Sequence, residues 1–269
     1  MKKFVIYKNP YKDKDEVITG KVKKCLRDLG AEVTDFKDYK GDFSEDVMTI
    51  VLGGDGTMLQ AIRDTHFMLG PVIGINLGTL GFLTEIEPDS YEKALTALVN
   101  DDFTTEQRLL LEGEVCGINV RALNDVVLTR NGGLRINSFN IYVNGLLLAE
   151  YFADGVIIST PTGSTGYNLS AGGPIASPAS ELIILTPICP HSLNHRSIIL
   201  SCKDEIKIEI PASKDGGNQE MELSFDGSSK EILKTGDSVV IHSSESKVSF
   251  AKLGKDSFLD ILNKKMSEK

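Results

Sequence analysis

The chain has 269 residues, 41% hydrophobic and 25% charged, with a net charge of −9. The length allows one large domain or two ordinary ones, and the composition is that of a folded protein rather than a disordered one. The acidic balance argues against a general nucleic-acid surface but not against a small phosphorylated ligand, because a local loop and a cation can override the global field.

Four cysteines, Cys25, Cys116, Cys189 and Cys202, are scattered with no Cys-x-x-Cys pair and no Cys/His cluster. This argues against structural zinc and reads as reduced, mostly buried thiols of a cytoplasmic protein. The opening Met1-Lys2-Lys3-Phe4-Val5-Ile6-Tyr7 has too short an apolar run for a signal peptide. No stretch approaches the ~20 apolar residues of a membrane span.

The first hundred residues alternate strand and helix. Phe4 to Tyr7 reads as a strand, and Ile18, Val22, Cys25, Leu26 and Leu29 recur at helical spacing before a Gly30 stop. Ala31 to Thr34 reads as a second strand. Val47-Met-Thr-Ile-Val-Leu52 is a buried strand, and Thr57 opens a helical pattern. Val72 to Ile75 is another strand, and Asp89 or Ser90 caps a helix through Val99. The pattern predicts a parallel α/β layer with ligands at the carboxyl ends of its strands. After about Asn100, short strands dominate: Leu109 to Val115, Asn124 to Thr129 and Ile136 to Val143, with a hairpin turn at Asn144-Gly145. Ile206, Ile208 and Ile210 alternate with charged residues, and Val239 to Ile241 with Val248 to Phe250 reads as a further pair. The fold class is therefore an α/β domain with a parallel sheet over 1–100, a β-rich, sandwich-like domain over 101–240, and a segment 241–269 packing back on the first domain. Residues 255–269 read as a short helix that fades into charge.

Gly53-Gly54-Asp55-Gly56-Thr57 joins a strand end to a helix start. Such a turn presents free N–H groups and the positive end of a helix dipole, which suits phosphate. Gly53, Gly54, Gly56 and Thr57 are the candidate phosphate loop. A carboxylate would repel phosphate, so Asp55 needs a reason to be there: a helix cap, a metal contact or a hydroxyl to orient. No Gly-x-x-x-x-Gly-Lys-Ser/Thr occurs, so this loop would hold phosphate without a P-loop lysine.

A second stretch, Asp154 to Pro174, runs from a strand into a loop rich in Gly, Ser and Thr. Hydroxyls and free N–H groups at this density bind ribose, base edges or phosphate. The plainer alternative is a structural Ω-like loop. Gly163-Ser164-Thr165-Gly166 is not Gly-x-Ser-x-Gly, which argues against a hydrolase nucleophile at Ser164. Asn124-Asp125 and Asp226-Gly227 are each, alone, more often turn signals. His191 and His195 flank a Pro-containing loop with no third ligand placed, so no metal site is assigned.

Gly53-Gly-Asp-Gly-Thr57, Asn124-Asp125, Thr160-Pro-Thr-Gly-Ser-Thr-Gly-Tyr167 and Asp226-Gly227 stand in the order found in NAD kinases, and the chain resembles that family from its first strand to its last β domain. The resemblance implies transfer of the ATP γ-phosphate to the adenosine-ribose 2′-hydroxyl of NAD, with Mg²⁺ on the ATP phosphates. It also implies a site between an α/β and a β-rich domain, and a homo-oligomer, often a tetramer. Some members use polyphosphate as donor. Matched position by position, Asp55 is the family's proposed catalytic base, with Gly56 beside it. Phe82 lies near the adenine, and Asn124 and Asp125 bind the dinucleotide. Arg135 is a variable, often basic position. Asp154 and the stretch Thr162, Thr165, Gly166, Tyr167, Asn168, Leu169 and Ser170 surround NAD, and Asp226 is a further acidic position. The family usually has Glu at Asp125, Ala at Gly166 and Gln at Ser228; Ser228 is assigned no role. Competing expectations are a related kinase with a lipid or sugar acceptor, and a non-catalytic dinucleotide-binding regulator. No nucleic-acid or membrane partner is expected.

Overall fold

The structure is a computed structural model, and it describes residues 2–44, 46–67, 70–79, 81–115, 117–132, 137–192, 196–213, 216–254 and 257–267. In chain order it forms β1 (Lys3–Lys8), α1 (Val17–Asp28), β2 (Glu32–Asp35), β3 (Val47–Gly53), α2 (Asp55–Asp64), β4 (Val72–Asn76), α3 (Tyr91–Val99), β5 (Thr104–Val115) and β6 (Ile118–Ala122). There follow β7 (Asp125–Arg130), β8 (Asn137–Val143), β9 (Leu146–Ala153), β10 (Gly155–Ser159), α4 (Tyr167–Ser170), β11 (Leu182–Ile188), β12 (Ile198–Ser201), β13 (Ile206–Glu209), β14 (Glu220–Phe225), β15 (Ser229–Lys234), β16 (Ser238–Lys252) and α5 (Phe258–Ser267). The chain divides into two compact units, Met1–Gln107 with Val248–Lys269, and Arg108–Lys247.

The first unit is an α/β layer. Its strands run in the order β2-β1-β3-β4, all parallel, and Phe250 of β16 pairs in parallel with Val72 of β4. Alternate residues share a face of a sheet. Phe4 and Ile6, Met48, Ile50 and Leu52, and Ile73 and Ile75 therefore form one apolar face, packed against Val22 and Leu26 of α1 and Ala94, Leu95 and Leu98 of α3. Helix α2 covers the other face with Met58, Ala61 and Ile62. It lies close enough that a Cβ on Gly74 would stand 2.8 Å from Met58 Cε. Gly30 ends α1 with φ of 82°, a conformation that suits a residue without a side chain.

The second unit is a pair of sheets around one core. One sheet runs β12-β11-β10-β7-β14-β15, antiparallel throughout. The other pairs β16 with β13, β13 with β8 and β8 with β9, all antiparallel, and carries β5 and β6. Leu128, Ile158, Leu185 and Leu223 from the first sheet meet Phe139, Ile141, Ile206, Ile208 and Ile241 from the second. Phe139 and Tyr151 stack there with ring centres 5.6 Å apart. The β8–β9 hairpin turns at Asn144 and Gly145, with φ of 51° and 78°. Two positive φ values in a two-residue loop are what Asn-Gly accommodates.

Three expectations need correction. Residues 238–252 form one long strand, not a pair, because the polar run between Ile241 and Val248 stays extended and Ser244 Oγ donates to Glu112 Oε2 at 2.7 Å. Helix α2 starts at Asp55, not Thr57. The thiols are not mostly buried: Cys25 and Cys202 are half-buried and Cys189, with φ of 45° just past β11, is exposed, while Cys116 lies outside the described residues. Among the described residues no helix is long and apolar enough to cross a membrane.

Candidate active site

The first unit carries a carboxylate that is held, not merely placed. Strand β3 is buried along its length and delivers the chain into the glycine turn at the carboxyl edge of the sheet. Gly54 precedes the helix, and its carbonyl accepts from the N–H groups of Thr57 at 2.9 Å and Met58 at 3.0 Å. Asp55 is the first helical residue and does not cap α2. Its Oδ2 accepts from the Phe82 N–H at 2.8 Å and its Oδ1 from the Leu83 N–H at 3.0 Å. Hydrogen bonds to a charged acceptor are worth about 1.5–3 kcal/mol each, enough to fix one rotamer. Gly81 makes the approach possible, because a Cβ there would collide with Asp55 Oδ1. Gly53 is needed for the same kind of reason: a Cβ there would run into the Thr57 side chain, whose Oγ1 accepts from Asn9 Nδ2 at 3.1 Å.

This turn opens into a cavity of about 420 Å³ lined by Asn9, Lys12, Gly54, Asp55, Gly56, Thr57, Gln60, Thr79, Gly81 and Lys265. The first N–H groups of α2 have no partner within the helix and attract anions. Two lysines, neither signalled by the sequence pattern, join them. Lys12 follows the Asn9-Pro10 turn after β1 and reaches back over Gly54 and Gly78: a Cβ on Gly54 would stand 3.3 Å from its Nζ, and one on Gly78 would collide with it. Lys265 comes from α5, with its Nζ 4.5 Å from the centre of the Phe82 ring. Phe258, also of α5, packs on that ring with centres 6.0 Å apart. The tail is expected from sequence to pack back on the first domain, but nothing in local spacing singles out Lys265 or its place beside Phe82.

The second unit carries a separate constellation. The turn after β14 places Asp226 at φ of 47°, a conformation Asp tolerates. Its Oδ2 accepts from the Leu123 N–H at 2.8 Å, and its Oδ1 from Asn124 at 2.8 Å and Asp125 at 3.2 Å. Asp226 therefore shapes the start of β7 and keeps its charge satisfied by backbone donors. Asp125 is different. It is buried, and burial with Asp226 nearby raises its carboxyl to about 7. Asn124 Oδ1 is buried with no hydrogen-bond partner among the described residues. An unpaired buried acceptor is costly and marks a place for a donor from elsewhere.

The loop after β10 comes to these residues. The Thr160 N–H donates to the Asn124 carbonyl at 2.9 Å, and a Cβ on Gly163 would collide with that carbonyl. A Cβ on Gly166 would lie 3.6 Å from Asn124 Nδ2 and 4.0 Å from Asp125 Oδ2, so Gly166 stands beside both. The loop is internally braced rather than irregular. Asn168 is buried, donates to the carbonyls of Ser164 at 3.1 Å and Pro174 at 3.0 Å, and accepts from Thr186 Oγ1 at 2.7 Å. Thr162 is buried under Arg108, and Thr165 Oγ1 donates to the Thr162 carbonyl at 3.4 Å. Tyr167 and Leu169 are exposed and Ser170 lies beside them on the single turn of α4. Asp154 is not brought to this cluster. It precedes β10, faces Arg130 at 3.3 Å, and sits at the far end of the strand from Ser159, which pairs with Asp125. Arg135 lies outside the described residues.

A carboxylate fixed at the mouth of an anion-binding turn defines a phosphotransferase better than a passive phosphate binder, which gains nothing from a negative charge there. Comparison with known proteins gives the particular family. Residues 5–103 match the family model described as "ATP-NAD kinase N-terminal domain" and residues 123–253 the one described as "ATP-NAD kinase C-terminal domain". An NAD kinase of Lachnospira eligens is 44% identical, covering 99% of this chain and 100% of its own length, and one of Agathobacter rectalis is 41% identical, covering 99% of each. Among solved structures, yeast NADH kinase complexed with NADH aligns with a TM-score of 0.84 at 26% identity, covering 100% of this chain and 88% of its own. An NAD kinase from Archaeoglobus fulgidus in complex with ATP aligns with a TM-score of 0.81 at 26% identity, covering 100% of both chains. The chain belongs to the NAD kinase family.

Two outcomes follow from the geometry. Gly81→Ala pushes a methyl into Asp55 Oδ1 and is expected to lower NADP formation about 10²-fold while the protein still unfolds cooperatively, as misplaced catalytic groups do; turnover within twofold of the parent would show that the Asp55 rotamer is not set by this loop. Asp125 titrates near 7 in the folded chain and near 3.8 when exposed. The folded state then holds a proton that the unfolded state has lost between about pH 4 and pH 7, so stability falls as pH rises through that window. The advantage of Asp125→Asn over the parent in thermal denaturation should therefore grow between pH 5 and pH 8, by about 2 °C or more. Equal offsets at both pH values would contradict the raised carboxyl.

Proposed function

We propose that this chain transfers the γ-phosphate of ATP to the 2′-hydroxyl of the adenosine ribose of NAD, with Asp55 as the residue that aligns that hydroxyl and takes its proton. The observation that carries the reading is the carboxylate of Asp55, pinned by two backbone N–H groups at the N-terminus of α2. A hydroxyl is a weak nucleophile, and a carboxylate in hydrogen-bond reach orients it. The 2′-oxygen forms a bond to the γ-phosphorus as the anhydride bond to the β-phosphate breaks. The electron pair of that bond stays with ADP, and the proton passes to Asp55. Transfer of this kind is loose, so positioning and charge neutralisation outweigh base strength.

The glycine turn, through the N–H groups of Gly53, Gly54 and Gly56, supplies donors for donor phosphates, and Thr57 lines the same turn. Asn124, Asp125, Thr165, Gly166 and Tyr167 hold the dinucleotide, with Phe82 near its adenine. The unpaired Asn124 Oδ1 and the carboxyl of Asp125 support a ribose or amine donor at that point. Asp226, Thr162 and Asn168 act by shaping backbone, and Leu169 and Ser170 border the loop. Asp154 and Arg135 are retained as positions implied by the family and receive no step.

Among the described residues no group of three acidic, histidine or cysteine side chains is arranged for a metal. Mg²⁺ commonly keeps several waters and is held by one or two carboxylates plus substrate phosphates, so a cleft with the single carboxylate Asp55 fits an ion carried on the nucleotide. When bound there, Mg²⁺ neutralises phosphate charge. Polyphosphate is the alternative donor in this reading. The protein acts in the cytoplasm as a homo-oligomer, a tetramer in this reading, and the exposed Leu146 and Leu147 on β9 supply apolar surface for association.

Asp55→Asn keeps the size of the side chain and removes its charge. It should leave NAD affinity within about twofold and lower NADP formation by about 10²–10⁴-fold. Near-normal turnover would remove Asp55 from the chemistry. NAD affinity should also rise about tenfold from pH 6 to pH 8 in calorimetry, because ribose hydroxyls donate to the ionised form of a carboxyl titrating near 7. Asp125→Asn should flatten that profile; a parent profile already flat would sink the ribose contact.

A further inference from the structure

Lys12 and Lys265 stand in the same cavity as Asp55, yet they come from opposite ends of the chain. Lys12 lies across the two glycine turns, over Gly54 and Gly78. Lys265 approaches from α5 and is seated on the Phe82 ring. Among the described residues neither ammonium is paired with a carboxylate. The one acid in the cavity, Asp55, has an oxygen on each of two backbone N–H groups. Two uncompensated ammonium groups beside a helix N-terminus leave the cavity short of negative charge, in a chain whose net charge is −9. In this acidic protein the imbalance is local, and an anion carrying several charges restores it.

We propose that Lys12 and Lys265 form a two-sided clamp for the linked phosphates of the phosphoryl donor, with Lys265 delivered by the C-terminal helix as a donor-binding residue of the active site. The inference rests on the reading of Asp55 as the acceptor of the 2′-hydroxyl proton, and it extends that reading to the donor. The ammonium groups give point-charge contacts from either side, while the glycine turns give directional N–H donors. The arrangement also explains why Phe82 is aromatic. Its backbone N–H holds Asp55, its ring carries Lys265, and Phe258 packs on it, so one residue sets the positions of the base and of one phosphate ligand. No P-loop lysine is needed, because the charge arrives from the β1–α1 turn and from the far C-terminus.

The test uses the full chain with Lys265→Met, which keeps length and apolar packing on Phe82, and Lys265→Arg, which restores charge. Steady-state kinetics are read for both substrates, and binding of inorganic tripolyphosphate is read by calorimetry. The clamp predicts that Lys265→Met raises the KM for ATP about tenfold or more with the KM for NAD within twofold, and weakens tripolyphosphate to a similar degree. Lys265→Arg should recover most of both losses, and Lys12→Met should repeat the pattern. A purely structural role for Lys265 would move both KM values together, or lower kcat alone, and either result overturns the proposal. Unchanged ATP KM and unchanged tripolyphosphate binding in Lys265→Met also overturns it. Should the parent make no NADP while tripolyphosphate binding is lost in Lys265→Met, the clamp stands and the assigned acceptor falls.

Discussion

The two hydrogen bonds from the Phe82 and Leu83 N–H groups to Asp55 are the constraint on which the first unit depends. A carboxylate at the N-terminus of a helix would ordinarily swing to cap its own first turn. Here it is turned outward and held by the segment after β4, and the turn at Gly54 is left to its backbone donors. The same pair of bonds ties β3 to the loop that follows its neighbour β4. The glycine turn and the Asp55 carboxylate are therefore set by one rigid strand pair.

The second unit solves a related problem with opposite signs of cost. Asp226 accepts from three backbone N–H groups, so it fixes the start of β7. Asp125, one strand over from it, is buried with no such donors among the described residues, and burial with Asp226 nearby raises its carboxyl to about 7. That placement is unfavourable for the empty fold. It is the expected signature of a group kept ready for a ligand, since functional sites concentrate perturbed carboxyls. The Asp125 carboxyl stands beside Gly166, where a Cβ would make ordinary contact with its Oδ2 at 4.0 Å.

Much of this was legible in the sequence, and for physical reasons. The strands β1, β3 and β4, the α1 stop at Gly30 and the Asn144-Gly145 hairpin follow from periodicity and backbone freedom, which are local properties. The glycine turn and the Thr160–Tyr167 loop were visible because close backbone approach demands small residues in unbroken runs. What was not legible is non-local. The polar run between Ile241 and Val248 has no strand periodicity, and only pairing keeps it extended. Asp55 read as a possible cap because its partners are backbone atoms nearly thirty residues on, and backbone atoms leave no trace in sequence. Lys12 and Lys265 went unread, because the expected return of the tail to the first domain does not say which of its side chains reaches Asp55. Asp154 was grouped with the loop's ligand by resemblance, but the whole of β10 separates it from that loop.

The central claim is that this chain moves a phosphoryl group from ATP to the 2′-position of NAD. Phosphorus NMR of the parent protein incubated with NAD, ATP and Mg²⁺ addresses it most directly, because it reports donor, acceptor and position together. The account predicts the appearance of a ribose 2′-phosphomonoester and ADP in equal amounts, and none when any component is left out. ATP consumed to inorganic phosphate with NAD unchanged, or a phosphomonoester at another position, would contradict it.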